Sequence, residues 1–237
     1  MLSNDYKQDN QDIKKKMNEL RPSGSLVYRL IKRIFDICCS LVLIIPVGIV
    51  IIISGILIKL EDKGEVFYKA PRTGRFGKPF EMINAPDIRL CDGSTYNGED
   101  DPRVTKFGRF ARKVSIDELP QIINILKGDM SFIGPRPDTP MYLDKYTDEE
   151  RIILTVRPGI TGYNQAINRN SVLTKEKLKN DIYYVKHLSI WFDIKIVILT
   201  IMTVISRKGI NRTNIDIGNV YVLNSDCDED GNTTELK

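Results

Sequence analysis

Histidine is almost missing from this sequence: His187 is the only one in 237 residues. Imidazole-based triads and HExxH metal sites cannot readily be assembled from one ring. Cysteine is equally uninformative. Cys38 and Cys39 are adjacent in the most apolar stretch, Cys91 and Cys227 stand alone, and no CxxC pair occurs, which argues against a zinc site or disulfide framework and suits a reducing compartment. The phosphate loop G-x-x-x-x-G-K-[ST] and the dinucleotide fingerprint G-x-G-x-x-G are both absent. The net charge of +4 falls short of a dedicated nucleic-acid binder, so nucleic acid is not an expected partner, whereas a membrane surface or an anionic substrate is. Chemistry must then rest on carboxylates and basic side chains, with a hard cation as an option.

What the chain does have is a long apolar run. Residues 37 to 60, ICCSLVLIIPVGIVIIISGILIKL, match the roughly 20 residues that cross a bilayer's hydrocarbon core as a helix. Pro46 near its middle, with Gly48 just after it, predicts a bend. Both flanks are basic, with eight Lys and Arg in residues 1 to 36 and six in residues 59 to 80, which the positive-inside rule reads as two cytoplasmic ends. A helix that enters one leaflet and returns satisfies both features; a plain spanning helix is the alternative.

The polar residues 1 to 24 read as an arm or weak helix, not a signal peptide. Residues 65 to 83 read as a hairpin around a Gly-rich turn. Residues 84 to 103 are an acidic loop without periodicity. Ser115-Ile116-Asp117-Glu118 fits the Ser-x-x-Glu capping box, followed by Leu119, Ile122, Ile123 and Leu126 at helical spacing and a glycine stop at Gly128. A polar helix is expected around 141 to 154 and another over 173 to 187. An apolar helix over 189 to 206 reads either as core or as an interfacial element anchored by Trp191. The extreme C-terminus reads as a tail.

Three segments join a stiff or capped backbone to charge: Ser115 to Glu118, Gly134 to Pro137, and Arg157 to Gly162. Arginines on such loops are preorganised for bidentate contact with phosphate. Asp117 and Glu118, with Arg112 and Arg136 near them in sequence, read either as plain helix capping or as a phosphoryl-transfer pair. In the second reading an Asp carboxylate attacks phosphorus, and a neighbouring Glu holds Mg²⁺ that neutralises the diphosphate.

Several longer motifs stand in order along the chain: Lys32-Arg33-Ile34-Phe35-Asp36, Ser115-Ile116-Asp117-Glu118-Leu119-Pro120-Gln121, the run from Asn124 to Pro137, Arg157-Pro158-Gly159-Ile160-Thr161-Gly162, Asp181-Ile182-Tyr183-Tyr184-Val185 and Asp193-Ile194-Lys195. Over most of its length the chain thereby resembles the bacterial sugar transferases, the monotopic polyprenyl-phosphate phosphoglycosyl transferases. The resemblance implies an α+β, mostly helical protein with a re-entrant membrane helix broken at Pro46 (residues 25 to 60), between the arm (1 to 24) and a small cytoplasmic catalytic domain (61 to 210), with a tail over 211 to 237. It implies a ping-pong reaction at the inner leaflet: Asp117 attacks the sugar-linked phosphate of a UDP-sugar, UMP leaves, and polyprenyl (undecaprenyl) phosphate takes the phosphosugar. By the same carry-over Glu118 partners Mg²⁺, Arg112 and Arg136 bind phosphate or order the site, Arg157 supports the substrate pocket, and Asp181 is a further polar site residue. Membrane lipids and downstream glycosyltransferases are the other partners implied, in a capsule, exopolysaccharide or glycoconjugate pathway. The sequence departs from the family at Asn84-Ala85-Pro86-Asp87-Ile88, where most members carry a basic stretch. Two competitors remain: a scaffold of the same fold without activity, and a transferase that passes the sugar alone and leaves UDP.

Overall fold

The computed structural model describes residues 17, 19–62, 67–84, 110–111, 115–168 and 174–205. Its first element is a 37-residue helix, α1 (Leu26–Asp62), with Pro46 inside it. At 1.5 Å per residue it is about 55 Å long, well beyond the ~30 Å of a hydrocarbon core. It is the one helix among the described residues long and apolar enough to cross a membrane. Its middle, residues 41 to 46, is exposed throughout, whereas burial occurs at Tyr28, Asp36 and Ser40 on one side of Pro46 and returns at Ser54 and Ile58 on the other.

Strands β1 (Tyr68–Thr73) and β2 (Pro79–Asn84) form the expected antiparallel hairpin, with Tyr68 opposite Asn84 and Thr73 opposite Pro79. The turn between them needs positive φ at Phe76 and Gly77. A 3₁₀ segment (Ile116–Gln121) then runs into a short helix, α2 (Ile122–Lys127), which ends at Gly128 in the left-handed conformation (φ 96°) as the sequence predicts. The capping box is not made. Ser115 itself takes positive φ (59°) and its hydroxyl caps nothing, because the chain enters through a 3₁₀ turn rather than an α-helical one.

Strand β3 (Ser131–Ile133) pairs in parallel with β4 (Gly159–Thr161). Between them, where one polar helix is expected over 141 to 154, lie two separate 3₁₀ segments, Pro140–Lys145 and Glu150–Thr155. The break falls at Tyr146, whose ring is buried and whose backbone is extended, so core packing of the ring overrides a continuous helix. Helices α3 (Tyr163–Asn168), α4 (Thr174–Lys186) and α5 (Ile190–Ile205) complete the domain.

Among the described residues, three clusters make the core. Met17 packs with Tyr146, Ile153, Leu154 and Leu178, so the end of the polar arm contributes apolar core that its composition hides. Ile133, Ala166, Tyr184, Val185 and Ile196 form the second, and Met82, Ile125 and Met130 the third. Helix α5 contributes to the core on one side and leaves an apolar side exposed. Ile196 is fully buried, while Ile190, Trp191, Ile194, Ile198 and Ile201 face outward and Trp191 is 81% exposed. That outward stripe follows helical spacing, as a helix lying along an apolar boundary requires.

A buried polar hub joins α1 to α5. The Lys32 ammonium lies 2.6 Å from Asp193 Oδ2, which also accepts from the Tyr28 hydroxyl at 2.9 Å, and the Tyr184 hydroxyl donates to Asp193 Oδ1 at 2.9 Å. One turn on, Asp36 Oδ1 accepts from Ser131 Oγ (3.0 Å) and the Phe132 amide (3.1 Å), tying α1 to β3. Through these contacts Lys32, Asp36, Tyr184 and Asp193 of the sequence motifs act together, fixing the apolar helix α1 onto the rest of the fold.

Candidate active site

The acidic pair sits at the start of the 3₁₀ segment, both carboxylates half-buried. Arg136, from the loop after β3, donates from Nη2 to Glu118 Oε1 at 2.7 Å. Burial works against the charge on Arg136, but Glu118, with Asp117 and Asp138 beyond it, outweighs this and raises the guanidinium above its ordinary pKa. Glu118 Oε2 makes no hydrogen bond among the described residues. One carboxylate oxygen of Glu118 is thus fixed by Arg136.

Why the pair stays in place is a matter of what holds α2. The Asn124 side chain spans β2 like a further strand: its Nδ2 donates to the Glu81 carbonyl (2.7 Å) and its Oδ1 accepts from the Ile83 amide (3.0 Å). Gln121 Nε2 donates to Asn84 Oδ1 at 2.7 Å. The first residue of the unusual 84 to 88 stretch is therefore a brace for the site; residues 85 to 88 lie outside the described residues. At the other end of α2, Arg33 of α1 donates to the carbonyls of Ile125 (2.6 Å) and Leu126 (2.9 Å), and Arg157 Nε donates to the Gly128 carbonyl (2.9 Å). Carbonyls at a helix C-terminus lack intrahelical partners and carry partial negative charge, so two guanidinium groups satisfy both needs.

Arg136 is placed by glycine. Gly159 N donates to the Pro135 carbonyl (3.0 Å) and Gly134 N to the Thr161 carbonyl (2.8 Å). A Cβ on Gly134 would collide with the Arg157 carbonyl, and one on Gly159 or Gly162 with the Gly134 backbone. The Gly-Pro-Arg-Pro and Arg-Pro-Gly-Ile-Thr-Gly motifs are thus the two halves of one close backbone contact, and only residues without a side chain fit it.

The structure distributes the expected site residues unevenly. Asp117, Glu118 and Arg136 come together, and Arg112 lies outside the described residues. Arg157 braces α2 from behind and lines a separate cavity with Arg29, Lys32 and Arg75. Asp181 is buried on α4 beside Asp138, which accepts from Lys177 and from the Tyr146 hydroxyl. Burial pushes the Asp181 carboxyl up to about 7, Lys177 opposes the shift and Asp138 adds to it. Asp138 is the link between the two groups, since its charge is felt by both Arg136 and Asp181. Sequence reading missed Asp138, Asn124 and Arg33 as site supports. Arg33 and Asn124 stand inside the family motifs, but nothing in their spacing says what they touch.

The family model described as bacterial sugar transferase matches residues 27–207. The chain belongs to the bacterial sugar transferase family. It is 38% identical over 188 residues to the uncharacterized sugar transferase EpsL of Bacillus subtilis, covering 78% of this chain and 92% of that one. It is 38% identical over 187 residues to the UDP-glucose:undecaprenyl-phosphate glucose-1-phosphate transferase of Escherichia coli, covering 74% of this chain and 40% of that protein. The undecaprenyl-phosphate galactose phosphotransferase of Salmonella typhimurium is 37% identical over 204 residues, covering 76% and 42%. This sugar transferase therefore spans nearly all of the Bacillus relative and less than half of the two enteric ones.

Proposed function

We propose that this sugar transferase moves a sugar 1-phosphate from a UDP-sugar to undecaprenyl phosphate at the cytoplasmic face of the cell membrane, as the first membrane step of a cell-surface glycan. The observation that carries the reading is the half-buried Asp117 next to a Glu118 already oriented by Arg136, in a family whose relatives are named for this transfer. An Asp117 oxygen attacks the sugar-linked phosphorus; the bond from that phosphorus to the bridging oxygen breaks and UMP departs with the electron pair. An oxygen of undecaprenyl phosphate then attacks the same phosphorus, the bond to Asp117 breaks, and the carboxylate is regenerated with the sugar diphosphate on lipid.

Mg²⁺ fits this donor set. Among the described residues no three His, Cys, Asp or Glu side chains gather to form a closed site, and Mg²⁺ characteristically takes one or two carboxylates and completes its shell with water and substrate phosphates. Glu118, through Oε2, would hold the ion, which would neutralise the diphosphate. The rest falls to the chain itself: Arg136 keeps Glu118 in place and brings positive charge to where the phosphoryl oxygens gather.

A re-entrant course for α1 is part of the proposal. Its support is the return of burial at Ser54 and Ile58 beyond Pro46 and the basic flanks on both sides. Reporter tags at the two ends of the protein should both read as cytoplasmic; opposite sides would establish a spanning helix.

The deciding assay is nucleotide release from a panel of UDP-sugars by nanodisc-embedded protein with Mg²⁺ and undecaprenyl phosphate. UMP from wild type, falling by at least ~10³-fold in Asp117→Asn, is the expected result. UDP as product would mean transfer of the sugar alone. No nucleotide release across the panel would favour a scaffold that keeps the fold without the chemistry.

A further inference from the structure

The cavity beside the first turns of α1 is cationic in a way the fold does not balance. Arg29, Lys32, Arg75 and Arg157 line it, with Asp36 the one carboxylate in the lining. Asp36 commits Oδ1 to β3, and Lys32 is matched by Asp193. None of the three arginines forms an ion pair among the described residues, although the Asp36 charge is felt by Arg157 and its Oδ2 is buried without a hydrogen bond. Arg75 and Arg157 each hydrogen-bond only through Nε, to the main-chain carbonyls of Thr155 and Gly128, and the Arg75 guanidinium also lies 4.5 Å from the centre of the Phe76 ring. Arg29 Nε is buried with no hydrogen-bond partner among the described residues. Half-buried guanidinium groups that face one another cost free energy unless a counter-charge joins them.

The surroundings indicate which counter-charge. Neither Asp117, Glu118 nor Arg136 lines this cavity, so it is not the space around the acidic pair. Leu26, Val27, Leu30 and Ile34 project exposed from the same turns of α1 that supply Arg29 and Lys32. The cavity wall includes Leu188, next to the exposed stripe of α5. A basic recess bordered by unpartnered apolar surface is suited to a ligand that is anionic at one end and apolar at the other. We infer that this cavity binds the phosphate headgroup of a membrane lipid, with the lipid's tail running along the exposed apolar side chains of α1.

The ligand is the phosphate diester of an anionic membrane phospholipid such as phosphatidylglycerol, distinct from the polyprenyl phosphate acceptor. Two or more arginines converging on one phosphate give charge-assisted, bidentate contacts, while the tail supplies what a soluble phosphate lacks. Bound there, the headgroup would also neutralise Arg157, whose Nε steadies the end of α2. Lipid occupancy would then stiffen the support behind the acidic pair without touching the reacting phosphorus.

The test is lipid retention, measured by native mass spectrometry on full-length protein released from phosphatidylcholine nanodiscs doped with phosphatidylglycerol in one arm and undecaprenyl phosphate in another. Wild type should retain one phosphatidylglycerol, and retention confined to the undecaprenyl phosphate arm would overturn the inference by making the cavity the acceptor's. Arg29→Gln/Arg75→Gln should reduce retention about tenfold, and Asp117→Asn should not change it. Arg29→Gln alone keeps the test decisive should the double variant not fold, because the buried Arg29 Nε has no hydrogen bond for the substitution to break. Retention that is undiminished in the variants, or displaced equally well by inorganic phosphate at matched concentration, would overturn the inference. The readout is binding rather than turnover, so it stands or fails apart from the transferase assignment.

Discussion

Arg136 and the pair Arg75 and Arg157 are the same residue type in one small domain, and their electrostatic situations are opposite. Arg136 meets carboxylates and its pKa is raised. Arg75 and Arg157 are lowered, by burial first and then by other arginines: Arg157 and Arg29 act on Arg75, and Arg33 and Arg29 on Arg157, with Asp36 opposing in the second case. A cation neutralised inside the fold can serve as a fixed part of an active site. A set of cations left facing one another is completed by something from outside. The contrast separates machinery that is preorganised from a recess that awaits a ligand.

The contrast can be attacked from either side. The largest stability effect is expected at the margin of the cationic recess, where Asp193→Ala leaves Lys32 and the hydroxyls of Tyr28 and Tyr184 without their acceptor. Breaking a buried ion pair in this way costs about 3–5 kcal/mol, and thermal unfolding in detergent should register it. On the neutralised side, Arg136→Gln should lower UMP release by about 10²–10³-fold while the circular dichroism spectrum stays native, because the arginine orients Glu118 without filling the core. Wild-type activity in that variant would remove Arg136 from the machinery.

A smaller effect concerns Asp181. Its folded pKa, about 7, lies above the ordinary carboxylate value, so folding takes up a proton between the two. The stability this contributes is fully present below the unfolded value near ~4 and is lost as pH rises through about 7. Melting temperature should fall across that window in wild type and more weakly in Asp181→Asn. The smallest effect belongs to Arg75. Added salt should screen its repulsion from Arg157 and raise the wild-type melting temperature slightly, a gain that Arg75→Gln should lack.

Much of the architecture was legible wherever the signal is local. The apolar run of α1, the β1–β2 hairpin, the Gly128 stop and the periodicities of α4 and α5 each depend on residues a few positions apart, and the structure places them where sequence does. The capping box failed because Ser115 adopts a backbone conformation that its neighbours do not announce. The polar hub was invisible for a different reason. Lys32 and Asp193 are 161 residues apart, and a lone charge in an apolar helix reads as an interruption until its partner is known. Met17 was hidden by the polar company it keeps. At the acidic pair, motif order brought Glu118 and Arg136 to notice together, but not the part Asn124 and Arg33 play in holding them there.

The Arg33 contact ties the fate of one helix to that of another. The helix behind Asp117 and Glu118 is finished by a side chain from α1, whose remaining length is almost wholly apolar. If α1 shifts away from the fold, the carbonyls of Ile125 and Leu126 lose their arginine. Any displacement of the apolar helix is therefore felt at the end of the short helix that carries the acidic pair's support.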